Sequence, residues 1–541
     1  MKIETSKTIS RFLFIAIFIV TVFYFIGIIW TNLNAKTWFN FDLYSDAKLA
    51  QLINQTGSLF PQEWTFGNQL YVIATPVIAS ILYPIISDSA LALGIASCIM
   101  TVLLIASFIW CIGPFVHKKQ LLVGIACLIG GVLVGESASS DFEGFQLFFT
   151  MGSYYSCYLL GILISIGIWL RMREKQPPHI IAVILCLLIN IALGMQSLRQ
   201  MLCLNLPLCA LSLLLSFMDR SNRKTCIFSN WTFFSVSCLA ANFTGIILIR
   251  ILKNILPIHQ ADILTSADGQ LPENLRNSLL ELAAYIGITR PNETFFSYFS
   301  LFAGIICLGI VVLSIAIIIH KRDTSALACV ILFCIISIIA VLCAGTLMIQ
   351  LRAIYFFVWH LAVTVSIVYL LDILRIDFRN ILCAILLILS TVNLFFQYRE
   401  DIAFFSEKND FYQKISDTLI ADGITQVYYN VWGMNDVSRV AAASKDQLLF
   451  CAVTANSENP EEYNLFSRIP YLYSEDWFDP SLQPSAYLCL TGDYLKEESH
   501  AAYAQLLEPR LTLVHRFTNG NEDYAFYSFD HIVYRDLVNF Q

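Results

Sequence analysis

Long apolar runs separated by short polar links make up most of the chain before residue 399. Eleven of these runs come close to the ~20 residues that an α-helix needs to cross about 30 Å of hydrocarbon. The pattern therefore predicts a bundle of membrane-spanning helices. The predicted spans are residues 11–30, 90–116, 120–135, 153–170, 179–196, 201–218, 232–252, 296–319, 325–348, 353–371 and 380–397.

A twelfth apolar segment, residues 69–86, is interrupted by Pro76 and Pro84 and leads directly into a polar link. Basic residues in the loops indicate whether it crosses, because cytoplasmic loops are enriched in Lys and Arg. If it does not cross and the N-terminus is cytoplasmic, every basic cluster lies on the cytoplasmic side. These clusters are Lys118/Lys119, Arg171/Arg173/Lys175, Arg220/Arg223/Lys224, Lys321/Arg322 and Arg375/Arg379.

This topology predicts a multi-pass cell-membrane protein with eleven crossings and an extracytoplasmic C-terminus. The first span has no small-residue cleavage site before Thr31, so it is predicted to stay as an anchor. Loops 31–89, 136–152 and 253–295 lie on the outer side in this arrangement. The functional residues are expected there, because the cytoplasmic loops are short.

The sequence after the last predicted span is more polar and more acidic than the sequence before it. Residues 399–541 contain 22 acidic and 10 basic residues, and they alternate predicted strands with two predicted helices, 401–421 and 435–443. We therefore predict a transmembrane catalytic domain over residues 1–398 and a soluble extracytoplasmic α/β domain over residues 399–541.

Composition narrows the functional classes. The chain is 57% hydrophobic and only 13% charged, about half the charged share of a soluble domain. A net charge of −7 argues against nucleic-acid binding. No P-loop and no dinucleotide-binding glycine motif is present in the sequence. An activated substrate is therefore expected to come from the membrane itself.

Carboxylates follow the first span. Asn40 or Asp42 can cap a helix that ends at Gly57, and on this helix Asp42 and Asp46 are i,i+4 neighbours on one face. Asp141 and Glu143 place a second acidic pair in the next outer loop. Two such pairs on one side of the membrane predict an acidic cleft.

Two arginines on the same side carry the opposite charge. Arg199 and Arg352 lie at outer turns, against the usual distribution of basic residues, and an ionisable residue at membrane depth is a candidate functional residue. The guanidinium group suits phosphate because it donates two hydrogen bonds at once. A carboxylate base with arginines for a phosphate suggests glycosyl transfer from a lipid phosphate.

These residues resemble the GT-C superfamily of membrane glycosyltransferases, which use polyprenyl-phosphate-linked sugars. Asp42, Asp46 and Gly57 are similar to the family's acidic motif and first interfacial helix, and Asp141 occupies the position of its second acidic site. Residues 60–69, with Trp64, resemble the stretch before a second interfacial helix, here 69–86. Arg199 and Arg352 with Tyr355 resemble its outer-edge arginines.

The resemblance implies an inverting enzyme that moves a sugar from a polyprenyl phosphate to an extracytoplasmic glycan acceptor. Its implied catalytic residues are Asp42, Asp46 and Asp141, and its substrate-binding residues are Glu143, Trp64, Arg199, Arg352 and Tyr355. The family often has adjacent acidic residues, whereas Leu43 follows Asp42 here, so either Asp42 or Asp46 is the base. No cofactor is expected to be required, although a divalent metal is compatible with the carboxylates.

Three alternatives stay open from the sequence. A transporter or flippase for lipid-linked sugars is the first, although transporters usually carry polar residues at the bilayer midplane. An O-antigen-type ligase or polymerase and a non-catalytic wall-assembly protein are the others.

Overall fold

The computed structural model is a mostly helical molecule with a mixed sheet near its C-terminus. It describes residues 2–130, 155–176, 178–218, 229–261, 269–288, 295–347, 350–431, 434–455, 466–469, 471–478, 486–492, 511–520, 522–529 and 538–539.

The first four α-helices carry or surround the candidate site. They are α1 (Lys2–Leu33), α2 (Phe41–Thr56), α3 (Thr75–Ile86) and α4 (Ser89–Ile112). The other described α-helices are Lys118–Ile129, Ser156–Arg173, Ile180–Gln196, Leu206–Met218, Asn230–Ile255, Leu271–Ile286, Phe295–Lys321, Ala326–Leu347, Val358–Ile373, Ile376–Ala421 and Ser438–Ala443. Short 3-10 turns over Ala35–Trp38 and Ala353–Phe356 and a π-helical turn over Met201–Asn205 connect some of them.

Eight helices in the described part of the chain are long and apolar enough to cross a membrane. This confirms a polytopic helical membrane protein. The other three of the eleven predicted spans coincide with shorter helices: Lys118–Ile129, Ile180–Gln196 and the region of Met201–Phe217. Helix α3 has 12 residues and therefore a length of about 18 Å, and helix Lys118–Ile129 of a predicted span has the same length within the described residues. Length therefore does not distinguish them, and the prediction that 69–86 does not cross rests on the distribution of basic residues.

The last span continues without a break into the soluble region. Helix Ile376–Ala421 has 46 residues, so it extends for about 69 Å, more than twice the thickness of the hydrocarbon core. The predicted domain boundary at residue 398 falls inside this helix, and its second half replaces the separate helix predicted over 401–421. Aromatic contacts pack the second half of helix Ile376–Ala421 against the first span: the ring centroids of Trp30 and Phe405 are 5.2 Å apart.

A mixed seven-stranded sheet forms the core of the tail. Its strands are β3 (Gln426–Asn430), β4 (Leu449–Ala455), β5 (Phe466–Arg468), β7 (Ala486–Thr491), β8 (Leu511–Asn519), β9 (Glu522–Phe529) and β10 (Val538–Asn539). They lie in the order β10-β5-β4-β3-β7-β9-β8. Central β3 pairs in parallel with β4 and β7, and the outer pairs are antiparallel apart from β10 with β5. The sheet with the helix Ser438–Ala443 confirms the predicted α/β character of the tail.

A second, small sheet joins the tail to two of the loops predicted to lie outside. Strand β1 (Trp64–Phe66) pairs in parallel with β2 (His259–Gln260) and antiparallel with β6 (Tyr473–Ser474) of the tail. Buried side chains of α2, of residues 64–74 and of the tail form one continuous hydrophobic cluster. The first loop, the third loop and the tail therefore meet at one end of the helix bundle, which we call the loop end.

Candidate functional site

Helix α2 begins and ends where its sequence indicates. The Asn40 side chain accepts a hydrogen bond from the Leu43 N–H at 2.9 Å, so Asn40 is the N-cap and Asp42 is left in the first turn. Gly57 ends the helix with φ of 67°, a left-handed conformation that glycine adopts without steric cost. Of the two candidate N-cap residues, Asn40 caps the helix, and the Asp42 side chain is available for another role.

The two carboxylates of α2 lie in different surroundings. Asp42 is half-buried, whereas Asp46, one turn further on, is fully buried. Burial raises the pKa of the Asp42 carboxyl to about 6, and the positive charge of Arg352 acts in the opposite direction. Burial raises the pKa of Asp46 well above its usual range; a hydrogen bond with Tyr71 opposes that shift, and the charge of Asp42 adds to it. Both carboxyl pKa values are thus raised, and the shift of Asp46 is the larger because Asp46 is fully buried.

Arg352 lies within electrostatic range of Asp42. It precedes the 3-10 turn Ala353–Phe356 and is exposed, and its positive charge lowers the pKa of the Asp42 carboxyl. A carboxylate can accept a proton from a hydroxyl group, and a guanidinium can bind an anion. The two groups therefore offer complementary chemistry in one region of the loop end.

Arg199 occupies a neighbouring position and is surrounded by neutral groups. Its Nη1 donates to Gln69 Oε1 at 2.7 Å and its Nη2 to the Tyr355 hydroxyl at 3.5 Å. The guanidinium also lies over the Tyr155 and Tyr355 rings, at 5.1 and 5.2 Å from their centroids. Within the described residues these contacts leave its positive charge without a carboxylate partner, so the site favours an anion. Arg199 and Tyr355 are brought together as predicted.

A chain of hydrogen bonds joins the two halves of the site. Gln69 accepts from Arg199 and, at 3.1 Å, from the Tyr158 hydroxyl, and its amide group bonds to Tyr71. Tyr71 in turn donates to Asp46. Buried polar groups linked in this way hold one another in a single arrangement. Arg199 is thus linked to Asp46 on helix α2 through the hydrogen bonds of Gln69 and Tyr71.

Sequence reasoning missed both Gln69 and Tyr71. The two residues fall in the stretch predicted to begin the non-crossing segment, but the helix α3 starts only at Thr75. Residues 69–74 instead form an irregular segment: the Leu70 N–H donates to the Gln196 carbonyl and the Ile73 N–H to the Gln196 side chain. Proline is common at the first positions of a helix, so Pro76 is the signal that could have placed the start of the helix after this segment.

Trp64 is found away from any open surface. Its ring is fully buried on β1 and meets the Trp477 ring edge-on, with centroids 5.5 Å apart. A fully buried ring cannot reach a substrate, so the structure makes Trp64 a packing residue between the first loop and the tail. Substrate binding by Trp64 has no support here.

The second acidic pair, Asp141 and Glu143, lies outside the described residues. Within the described ranges, no group of three or more His, Cys, Asp and Glu side chains could hold a metal ion. The roles of Asp141 and Glu143 and the question of a divalent metal stay predictions from the sequence.

Comparison with known proteins rests on structure alone. No family model matches the sequence, and no curated protein matches it. The fold matches the crystal structure of ArnT from Cupriavidus metallidurans bound to undecaprenyl phosphate, with a TM-score of 0.56 and 10% identity over 96% of this chain and 97% of ArnT. The apo state of the same protein gives a TM-score of 0.54 and 10% identity, over 97% of this chain and 99% of ArnT.

The match extends over both the helix bundle and the tail, because it covers nearly the whole of each chain. At 10% identity it establishes the fold. The chain therefore has the fold of the ArnT structures.

Proposed function

We propose that this protein is a membrane glycosyltransferase that moves a sugar from a polyprenyl phosphate to a hydroxyl group of an extracytoplasmic glycan or glycopolymer. The observation that carries the proposal is the pairing of a half-buried carboxylate, Asp42, with exposed Arg352 at the loop end of a GT-C-like fold. The matching ArnT structure is bound to undecaprenyl phosphate, a ligand of the proposed donor class.

The proposed reaction is a single displacement at the sugar carbon. Asp42 takes the proton of the acceptor hydroxyl while the acceptor oxygen forms a bond to the sugar carbon. The bond from that carbon to the phosphate oxygen breaks, and the lipid phosphate leaves with the electron pair. Attack opposite the leaving group inverts the configuration at the carbon. A base with a pKa of about 6 suits this role because it is ionised near neutral pH and accepts a proton readily.

Asp42 is favoured over Asp46 as the base. Asp46 is fully buried, so it cannot reach the acceptor, and burial raises the pKa of its carboxyl well above the usual range. Its hydrogen bond with Tyr71 instead anchors the helix that carries Asp42. Asp141, in the second loop, is proposed to orient the acceptor or the base, and Glu143 to contact substrate.

Arg352 and Arg199 are proposed to stabilise the departing phosphate, with Tyr355 holding Arg199 in place. Charge develops on the phosphate as the bond breaks, and positively charged groups held beside the phosphate stabilise that charge. The N-terminus is proposed to be cytoplasmic, which places the loop end and the tail outside the cell membrane.

The test uses the purified full-length protein in lipid nanodiscs. Binding of undecaprenyl phosphate is measured first, followed by transfer from a panel of undecaprenyl-phosphoryl hexoses and pentoses to a hydroxyl-bearing glycan acceptor. Saturable binding with sugar transfer that is lost in Asp42→Asn supports an enzyme. Binding without transfer, unaffected by Asp42→Asn, favours a carrier of lipid-linked sugars instead.

A further inference from the structure

A segment of the tail, residues 471–478, lies directly on the first loop. Strand β6 pairs with β1 so that Tyr473 faces Thr65 and Ser474 faces Trp64. The Leu472 N–H donates to the Thr65 carbonyl at 2.7 Å, which extends the pairing by one residue. The tail therefore completes a sheet of the loop that also carries helix α2.

The backbone bends sharply at the end of this pairing. Leu472 has φ of 58°, in the left-handed region that is unfavourable for a residue with a side chain. Its side chain is buried and its N–H is hydrogen-bonded, so the surrounding contacts hold the conformation in place. An observed outlier of this kind often accompanies a functional position, because a strained backbone directs a neighbouring side chain.

The neighbouring side chain is Tyr471, which turns toward the start of α2. Its half-buried ring packs edge-on against Phe41, with centroids 6.1 Å apart, and Phe41 immediately precedes Asp42. Burial raises the pKa of the Tyr471 hydroxyl; the charge of Asp42 raises it further, and the charge of Arg352 lowers it. The hydroxyl thus lies within electrostatic range of both charged groups of the candidate site.

We propose that Tyr471, supplied by the soluble tail, contacts the sugar of the lipid-linked donor, an assignment that rests on the proposed function. In a displacement with Asp42 as base and Arg352 at the phosphate, the sugar carbon lies between these two groups. Tyr471 approaches this region from the tail side, where its ring packs against Phe41, the residue before Asp42. Its ring offers an apolar surface to the sugar, and its hydroxyl donates a hydrogen bond to a sugar oxygen.

This assignment separates two parts of the donor. Substitution of a residue that contacts the sugar should weaken binding of lipids that carry a sugar and leave the affinity for the bare lipid phosphate unchanged. Substitution of a residue that only supports the fold would weaken binding of both lipids alike. The tail would then select the sugar as well as complete the sheet of the first loop.

The experiment compares Tyr471→Phe and Tyr471→Ala with the matched control Tyr473→Phe. Tyr473 lies two residues away on β6, and its hydroxyl donates to Glu475 at 3.2 Å. Dissociation constants are measured on the full-length protein in nanodiscs for undecaprenyl phosphate and for the undecaprenyl-phosphoryl sugar that the wild type binds best. Folding is followed by thermal unfolding of each variant.

We expect Tyr471→Phe to weaken binding of the sugar-bearing lipid roughly 3- to 10-fold, the equivalent of one lost hydrogen bond. Tyr471→Ala should weaken it more, and Tyr473→Phe should match the wild type. Affinity for undecaprenyl phosphate should stay within about twofold in all three variants, which is less than the value of a typical hydrogen bond.

Two results would overturn the assignment. If the Tyr471 variants bind both lipids as the wild type does, or lose both equally, Tyr471 does not contact the sugar, and the proposed function is unaffected. If the wild type fails to bind undecaprenyl phosphate at all, the proposed function itself fails and the assignment fails with it.

Discussion

Asp446 of the tail forms a buried ion pair with Lys48 of helix α2, with 2.8 Å between Oδ1 and Nζ. The side chains are only 11% and 8% exposed, respectively. Asp446 also accepts hydrogen bonds from the Ser89 N–H and hydroxyl, at 2.8 and 2.6 Å, where helix α4 begins. One carboxylate of the tail thus ties together two helices, and one of them carries the acidic pair Asp42 and Asp46.

Breaking this pair should destabilise the loop end. Asp446→Ala leaves the Lys48 ammonium buried without its carboxylate, which typically costs about 3–5 kcal/mol. We expect a clearly lower thermal midpoint for Asp446→Ala, measured on the purified full-length protein. Asp476→Ala, at an exposed position of the tail, is the control and should match the wild type. The double variant Lys48→Met/Asp446→Leu should recover most of the loss, because it removes both charges together. An unchanged midpoint for Asp446→Ala would show that the pair does not hold the two parts together.

The same pair has a defined pH dependence. Although burial acts in the opposite direction, Lys48 and the bonds from Ser89 lower the pKa of Asp446 below its ordinary 3.8. A lowered folded-state pKa means that the contribution to stability is full above the ordinary, unfolded-state pKa of 3.8 and is lost as pH falls through the lower folded-state pKa. Acid unfolding curves of the wild type and of Asp446→Ala should therefore converge at low pH, and a gap that persists there would contradict the ion-pair explanation.

Transfer should depend on the ionisation of Asp42. Because its pKa is about 6, the transfer rate should rise with pH through about 6 and then level off. Asp42→Asn keeps the shape of the side chain but accepts no proton, so the rate should fall by at least ~100-fold, the lower end of the usual contribution of a general base. The control Asp410→Asn changes an exposed carboxylate of the long helix and should leave the rate and its pH profile intact. Near-normal turnover by Asp42→Asn would rule out this base.

Asp46 should behave differently from Asp42. It is fully buried, and an asparagine can still accept the hydrogen bond from Tyr71. We therefore expect Asp46→Asn to retain transfer within about tenfold of the wild type, a loss of roughly one hydrogen bond. Burial raises the folded-state pKa of Asp46 above its ordinary 3.8, so the wild type loses stability as pH rises from that ordinary value through the folded-state pKa, and the variant lacks this loss. The variant should thus gain stability relative to the wild type as pH rises. A loss of transfer equal to that of Asp42→Asn would make Asp46 the base.

Lysine should not fully replace Arg199 or Arg352 in binding the lipid phosphate. Arg199 donates through two different nitrogens to Gln69 and Tyr355, and an ammonium group cannot reproduce that geometry. We expect Arg199→Lys and Arg352→Lys each to weaken binding of undecaprenyl phosphate by about tenfold, on the order of one charge-assisted hydrogen bond. Arg516→Lys, in the tail sheet, serves as the control. Unchanged affinity in both test variants would remove the phosphate role.

The side of the membrane on which α3 ends can be tested directly. Ser87 is exposed at the C-terminus of α3, and Ser325 is exposed in the short link between two spans at the opposite end of the bundle. In whole cells, an impermeant thiol reagent should label Ser87→Cys and leave Ser325→Cys unlabelled. Exposed Cys343 is replaced by Ser in both backgrounds. The reverse pattern would invert the proposed topology.

The sequence alone determined the membrane class and the position of the acidic helix. Both follow from local information: apolar runs of span length predict the helices, and Asn40 and Gly57 mark the two ends of α2. The resemblance to GT-C enzymes could be stated from the same short motifs, and the fold agrees with it.

Only the tertiary structure decided how the two carboxylates differ and what surrounds them. Their spacing on α2 makes Asp42 and Asp46 equivalent in the sequence, but packing of residues 69–74 and of the tail buries one and leaves the other half-exposed. Tyr471 follows Asp42 by more than 400 residues, and no local pattern connects them. Burial and long-range contact depend on how distant segments pack together, and that packing is what separates a candidate base from a structural carboxyl group.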